Sequence, residues 1–217
     1  MNSNKPVTRK TCCWELDPLE KETVNGIFKA ILEFERAPKI QELQSSLKKP
    51  ADEIIRVIDG LEEKDLLLRK KGTQEIISIY PVSLKPTQHQ VILENGKKLF
   101  AMCALDAVGI PSLFNLNARV NSRCEWCTEK ISIEIKDIEI AAKSHPHILI
   151  WNTDEIIIPA AETCCPLVNF FCTQEHLKEW EGKNPDISKI GKGIPLEKAY
   201  PENRDRWKRY GEMIGIR

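Results

Sequence analysis

KLFAMCALDAVGIPSLFNLNARVNSRCEWC, residues 98–127, is the stretch on which the fold and the chemistry of this chain depend most. Around Cys103 the residues are almost continuously apolar from Leu99 to Val108, a pattern that predicts a buried helix rather than an amphipathic one. Asp106 interrupts this pattern, and a carboxylate is rarely buried unless it is paired or used. Because residues three apart share a helix face, the Cys103 sulfur and the Asp106 carboxylate should point the same way. A thiol beside an acid within apolar walls predicts a reactive site.

The composition narrows the class of protein. The chain has 217 residues, and its 32 basic and 32 acidic side chains cancel. Nucleic-acid-binding proteins usually carry a basic excess, so this balance makes a nucleic-acid partner unlikely. No apolar run approaches the roughly 20 residues of a membrane-spanning helix, and the first residues lack the apolar core of a signal peptide. We therefore expect a cytoplasmic protein without a membrane partner.

The cysteine content points to thiol or metal chemistry. In a reducing cytoplasm disulfides are rare, and eight cysteines, several of them adjacent, favour metal binding or reactive thiols. Cys124 and Cys127 form a CxxC pair, which is half of a typical zinc site. Cys164 and Cys165 are adjacent, and the four histidines show no ligand spacing. Three interpretations of Cys124 and Cys127 remain open: a structural zinc site, a strand-turn pair with buried thiols, and redox chemistry or accessory metal handling.

The N-terminal third of the chain predicts three helices followed by a β-hairpin. Residues 1–17, which include the Cys12–Cys13 pair, are expected to be irregular. Asp17 can cap a first helix, and Pro18 suits its first turn. Two shorter helices should follow, then strands over 66–69 and 75–80, which is the order of a winged helix. We assign a winged-helix-like domain to 18–82; its third helix is acidic, which disfavours contact with DNA phosphates.

The remainder, 83–217, predicts a mixed β-sheet with flanking helices, so the fold class is α+β. The Asn95-Gly96 turn should precede the Cys103 helix, and Pro111 should end that helix. Further elements are expected at the following places: strands over 89–95, 118–122, 131–135, 147–151 and 155–159; a central strand over 167–171; a helix over 175–180; a loop over 182–193; and terminal helices over 195–213.

Three segments together carry a family resemblance. The first is Leu99-Phe-Ala-Met-Cys103-Ala-Leu-Asp106, the second is Ala118-Arg-Val-Asn-Ser-Arg-Cys124 after Pro111, and the third is Cys165-Pro-Leu-Val-Asn-Phe-Phe171. With these motifs the chain resembles the bacterial organomercurial (alkylmercury) lyases. The resemblance implies an N-terminal winged-helix-like domain that does not serve DNA, followed by an alkylmercury-lyase-like catalytic domain over 83–217.

The resemblance also implies roles for individual residues. Cys103 and Cys165 would be the two mercury-binding thiols and Asp106 the proton shuttle. The Phe170–Phe171 pair selects Cys165 over Cys164 as the second thiol, and Cys164 is retained as an assisting metal ligand. Cys124 matches a family cysteine with a structural role. Cys127, Cys164, Cys172 and the Cys12–Cys13 pair exceed the usual family set.

The implied activity is cleavage of a carbon–mercury bond by protonolysis, giving a hydrocarbon and Hg(II). Two thiolates suit this soft metal, and a buried carboxylic acid can protonate the departing carbon. No organic cofactor is implied, and the product metal would pass to cellular thiols or a mercuric reductase. The alternative is a non-enzymatic, cysteine-rich protein that binds or senses zinc, copper or mercury, although such a protein has no need of Asp106. We expect the organic group to contact Phe100, Met102, Leu105 and Leu113.

Overall fold

The computed structural model describes residues 14–153 and 159–216. Its helices are α1 (Pro18–Phe34), α2 (Ile40–Leu47), α3 (Ala51–Glu63), α4 (Ala104–Phe114), α5 (Ala160–Thr163), α6 (Gln174–Lys183) and α7 (Leu196–Met213). Its strands are β1 (Leu67–Arg69), β2 (Ile76–Ile79), β3 (Val82–Ser83), β4 (Gln90–Leu93), β5 (Lys98–Ala101), β6 (Ala118–Arg123), β7 (Lys130–Lys136), β8 (Glu139–Lys143), β9 (Leu149–Thr153), β10 (Phe170–Phe171) and β11 (Gly191–Pro195). The predicted α+β class is confirmed.

The first helix begins at its predicted position. Asp17 caps α1, and its carboxylate accepts the backbone N–H of Glu20 while the Glu20 side chain accepts that of Asp17. Helices α1 to α3 are followed by the antiparallel hairpin of β1 and β2. This hairpin continues into the sheet of the following segment through β3. The winged-helix-like unit over 18–82 and its boundary stay a prediction.

The larger sheet has eight strands in the order β1-β2-β3-β5-β4-β6-β7-β8, and a second has the order β10-β9-β11. All the described strand pairs are antiparallel, so the expectation of a mixed sheet was wrong in this detail. The reason lies in the connections, because most neighbouring strands are joined by short turns, whereas parallel pairs need long crossovers.

The segment that was predicted as one helix around Cys103 forms a strand followed by a helix. Lys98–Ala101 is strand β5, joined to β4 by the predicted Asn95-Gly96 turn, where Gly96 has a φ of +84°. The helix begins only at Ala104, with Cys103 as its N-cap. Pro111 lies inside α4, which ends at Asn115 in the left-handed conformation. The continuous apolar run concealed the boundary because a buried strand and a buried helix share that pattern.

Other expectations were also corrected. Residues 167–171 were predicted as a central strand, but Cys165–Leu167 is a 3₁₀ turn and β10 is a two-residue edge strand beside β9. Within the predicted 182–193 loop, β11 begins at Gly191 and pairs with β9. Residues 155–158 of the strand predicted over 155–159, and the Cys12–Cys13 pair, lie outside the described residues. The strands over 118–122 and 131–135 are confirmed, and the terminal helices expected over 195–213 form the single helix α7.

The core holds α4 between the sheet and α7. Ten of the eleven α4 residues are buried, which explains why it has no polar face. Gly109 permits the close approach of α7, because a Cβ there would lie 2.0 Å from Cδ1 of Trp207. The start of α4 is thus fixed deep in the molecule.

Candidate active site and a second cysteine cluster

The N-terminus of α4 positions Cys103 and Asp106 against each other. As N-cap, the Cys103 sulfur accepts the backbone N–H of Asp106 at 3.3 Å. The same thiol donates to Oδ2 of Asp106 at 3.1 Å. The three-residue spacing therefore brings the two groups together as predicted, although through a helix cap rather than along a helix face.

Cys165 reaches this pair from a distant part of the chain. Its 3₁₀ turn is held against α4 by a 2.9 Å hydrogen bond from the backbone N–H of Ala104 to the carbonyl of Val168. The Cys103 sulfur, the Cys165 sulfur and a carboxylate oxygen of Asp106 all lie within 4.8 Å of one another, and all three residues are buried. Two thiols and one acid thus converge on a space that fits a single metal atom.

The adjacent Cys164 is arranged differently. Its sulfur lies 3.5 Å from the hydroxyl of Thr163, and its side chain is buried. It lines the same cavity as Cys103 and Cys165, but it is not a member of the close group that those two form with Asp106. Cys164 therefore neighbours the close group of Cys103, Cys165 and Asp106 without belonging to it.

Burial determines the proton affinities of the site. It raises the pKa of Asp106 to about 6, against the opposing effects of the Arg206 charge and the hydrogen bond from Cys103. Burial also raises the pKa of the Cys103 thiol well above its usual value, and the neighbouring Cys165 and Asp106 add to the rise. At neutral pH the arrangement is therefore a thiol that donates to a carboxylate, which is ready for proton transfer between them.

A cavity of about 140 Å³ opens onto the three groups. Of the predicted apolar walls only Leu105 lines it, whereas Phe100, Met102 and Leu113 do not. Phe100 lies in β5 and Met102 between β5 and α4, so neither belongs to the helix that was predicted around Cys103. The other lining residues are Trp14, Asp65, Tyr80, Asn152, Thr153, Ala160, Cys164, Val168 and Arg206.

Tyr80 and Arg206 belong to the site and were missed by sequence reasoning. The Tyr80 hydroxyl lies 2.9 Å from the Cys165 sulfur, and burial raises the pKa of Tyr80, so the phenol stays protonated. Arg206 contributes positive charge near Asp106. Tyr80 precedes β3 and Arg206 lies on α7, and no local motif connects either residue to Cys103.

A second cluster contains Cys124, Cys127, Cys172 and His176, whose donor atoms lie within 4.8 Å of one another. The Cys127 and Cys172 sulfurs are 3.6 Å apart, and Nδ1 of His176 lies 3.0 Å from Cys172 and 3.9 Å from Cys124. The three cysteines were named in the sequence analysis, but the statement that no histidine has ligand spacing was wrong for His176. Its signal was the Cys172-x-x-x-His176 spacing.

The fold and the first site together define an α+β protein with a buried constellation of two thiols and one carboxylic acid. The family model for alkylmercury lyase matches residues 82–201, more than half of the chain. The chain therefore belongs to the alkylmercury lyase family. The predicted family and enzyme class are confirmed.

Individual relatives agree with this assignment. The alkylmercury lyase of Staphylococcus epidermidis is 23% identical over 187 residues, covering 86% of this chain and 82% of the relative. That of Bacillus cereus is 23% identical over 211 residues, covering 97% and 88%. The crystal structure of the mercury-bound form of MerB2 superposes with a TM-score of 0.77 at 22% identity, covering 91% of this chain and 93% of that one. At this identity the structural likeness establishes the fold.

Within the described residues, no helix combines the length and apolar character needed to cross a membrane.

Proposed function

We propose that this chain cleaves the carbon–mercury bond of organomercury compounds by protonolysis, with Cys103, Cys165 and Asp106 carrying the reaction. The observation that carries the proposal is the convergence of these three buried groups within 4.8 Å in a member of the alkylmercury lyase family. The substrate is an organomercury cation bound to a small thiol or another exchangeable ligand.

The first step is capture of the metal. The Cys103 sulfur displaces the exchangeable ligand on mercury, and the thiol proton leaves with that ligand. Thiolates are the preferred donors for a soft metal, so the exchange is favourable once Cys103 loses its proton. The 3.1 Å hydrogen bond from the thiol to Asp106 provides the base that assists this loss.

The second step breaks the carbon–mercury bond. The Cys165 thiol transfers its proton to Asp106, and its sulfur becomes the second ligand to mercury. Asp106 then delivers this proton to the carbon, which leaves as a neutral hydrocarbon. Two thiol protons are consumed in all, one by the exchanged ligand and one by the carbon, and Hg(II) remains bound by two thiolates.

The surroundings support the proton transfers. The raised pKa of Asp106 near 6 lets it accept and return a proton close to neutral pH. The protonated Tyr80 hydroxyl, 2.9 Å from the Cys165 sulfur, can donate to the thiolate as it forms. In the cavity, Trp14, Leu105 and Val168 offer apolar contacts for the organic group in place of water.

The remaining partners follow from the chemistry of the product. Hg(II) held by two thiolates leaves by exchange with other thiols, so cellular thiols or a mercuric reductase are the proposed acceptors, and the cytoplasm is the proposed location. No organic cofactor has a part in the reaction. Zinc at Cys124 and Cys127 is proposed as a separate, non-catalytic metal. A purely metal-binding protein is the alternative, and it would give Asp106 no role.

The test is hydrocarbon release from phenylmercury in the presence of excess thiol, measured by gas chromatography. Cys165→Ser is compared with the matched neighbour Cys164→Ser, since both remove a buried thiol from the same cavity. We expect wild type and Cys164→Ser to release benzene, and Cys165→Ser to lose release by at least two orders of magnitude. Absence of benzene from the wild type would overturn the proposal, and loss in Cys164→Ser alone would reassign the second thiol.

A further inference from the structure

The second cysteine cluster has the composition of a complete metal site, and it lies outside the three groups proposed for catalysis. Cys124 and Cys127 lie in the turn between β6 and β7, Cys172 follows β10, and His176 lies in the first turn of α6. Cys124 and Cys172 are buried, whereas Cys127 and His176 are partly exposed. Cys124, Cys127 and Cys172 form no disulfide in the described part of the chain, so their sulfurs are available to a metal.

The distances fit a tetrahedral ion. With zinc–sulfur bonds of about 2.3 Å and zinc–nitrogen bonds of about 2.0 Å, tetrahedral ligands lie about 3.5–3.8 Å apart. The Cys127 and Cys172 sulfurs are 3.6 Å apart, and Nδ1 of His176 is 3.9 Å from the Cys124 sulfur. The separation of 3.0 Å between Cys172 and His176 needs only a small expansion, which the rotation of a partly exposed imidazole can supply.

The backbone holds the two halves of the cluster together. The turn is closed by hydrogen bonds from Cys124 N–H to the carbonyl of Glu129 and from Thr128 N–H to that of Cys124, at 2.8 and 2.9 Å. The N–H of Glu125 donates to the carbonyl of Phe170 at 2.9 Å, which joins this turn to β10. The four donors are thus preorganised by contacts that do not involve the side chains themselves.

We propose that Cys124, Cys127, Cys172 and His176 bind one structural zinc ion. Three thiolates and one imidazole form one of the ligand sets that structural zinc sites use, and four protein ligands leave no open position for a substrate. On binding, each thiol loses its proton to solvent, so the three cysteines become thiolate ligands. The partial exposure of Cys127 and His176 provides a path for the ion to enter.

A competing group, Glu129 and His145 with Cys172, also brings donor atoms within 4.8 Å, but it offers one thiol and an exposed carboxylate. The Cys172 sulfur can complete one tetrahedral set, and the set with three thiols suits zinc better. The zinc would hold the β6–β7 turn against the segment that runs from Cys165 through β10 to α6. It would also withhold three thiols from mercury.

The test measures the zinc content of the full chain by inductively coupled plasma mass spectrometry after dialysis against a competing chelator. Cys127→Ser removes the partly exposed thiol ligand, and Cys164→Ser is the matched control outside the cluster. We expect one zinc per chain in wild type and in Cys164→Ser, and its loss from Cys127→Ser. A zinc-free wild type, or zinc that Cys127→Ser retains, would overturn the proposal.

A second measurement does not depend on how the variant folds. The wild-type chain is stripped of zinc and titrated with Co²⁺ under reducing conditions. Tetrahedral cobalt with thiolate ligands produces intense visible absorption together with sulfur-to-metal charge-transfer bands, and we expect both at one equivalent. The weak absorption of octahedral cobalt alone would contradict the proposal. The Cys103→Ser/Cys165→Ser double variant should give the same spectrum as wild type, and its loss there would place the metal in the catalytic site instead.

Discussion

Cys103 has two roles that its position makes compatible. Its sulfur accepts the backbone N–H of Asp106 at the start of α4, and its thiol proton points at the carboxylate of the same residue. Serine is a better helix cap and would preserve the capping hydrogen bond, but its hydroxyl would be a poor ligand for a soft metal. The local fold and the chemistry are therefore separable at this residue.

Asp106→Asn tests the role of the acid. The amide has nearly the same shape but neither accepts nor returns a proton at neutral pH, so we expect mercury binding to persist while cleavage falls by about 100-fold or more. Benzene release and mercury retained after gel filtration measure the two properties on one sample. Equal loss of both would contradict a specific role in proton transfer.

The same variant provides its own control for folding. Because the pKa of Asp106 in the folded chain, about 6, exceeds its ordinary value of 3.8, protonation stabilises the folded state. This stabilisation is present at low pH and is lost as the pH rises through about 6. Asp106→Asn should therefore be at least as stable as wild type at pH 8 in urea unfolding, so lost activity would not reflect an unfolded chain.

Activity should depend on pH through the same carboxyl group. The carboxylate form takes the thiol proton, so kcat/KM for phenylmercury should fall as the pH drops through about 6. The measurement is the acidic limb of the pH profile of kcat/KM, recorded in the presence of excess thiol. A limb centred near the ordinary carboxyl pKa of 3.8, or no limb, would contradict the assignment of Asp106 as base.

At the scale of elements, the contact of α4 with α7 fixes where Cys103 and Asp106 lie. Gly109 lacks the Cβ that would meet the buried Trp207 ring at 2.0 Å. The same two helices carry Asp106 and Arg206, so a shift between them would alter the charge around the acid. Their packing is therefore relevant to activity as well as to stability.

Gly109→Ala should lower the free energy of unfolding by about 1–3 kcal/mol, because the added methyl group overpacks a rigid interface. Gly182→Ala in α6 is the matched control, since a Cβ there meets nothing within 4 Å and alanine favours a helix. Urea unfolding measures both variants. If Gly109→Ala were as stable as wild type, the close contact of α4 with Trp207 would be wrong.

The helices of the N-terminal segment were predictable because their signals are local, such as the Asp17 cap and the 3.6-residue period of α1. The start of α4 was not, because Leu99 to Val108 is apolar except for Asp106, and only tertiary pairing of β5 with β4 separates strand from helix. The same holds for β11, whose glycine-containing sequence becomes a strand by pairing with β9. Whether these segments form strands or helices depends on long-range strand pairing, which sequence patterns do not reveal.

At the scale of the whole molecule, the fold brings together residues that no sequence spacing connects. Cys103 and Asp106 could be paired from their three-residue spacing, and the family resemblance supplied Cys165. Tyr80 reaches the cavity from the turn between β2 and β3, and Arg206 from α7, so neither could be found without the tertiary structure. His176 was accessible in principle, since Cys172 and His176 are four residues apart at the start of a helix.

Joint action of Cys103, Asp106 and Cys165 on one organomercury molecule can be measured in a single turnover. Reduced wild-type chain is mixed with one equivalent of phenylmercury without added thiol, and benzene and protein-bound mercury are counted in the same sample. We expect one benzene and one bound Hg(II) per chain, with neither benzene nor stable Hg(II) at this site in the Cys103→Ser/Cys165→Ser variant. Phenylmercury that remains intact on the wild-type chain, with no benzene released, would contradict it.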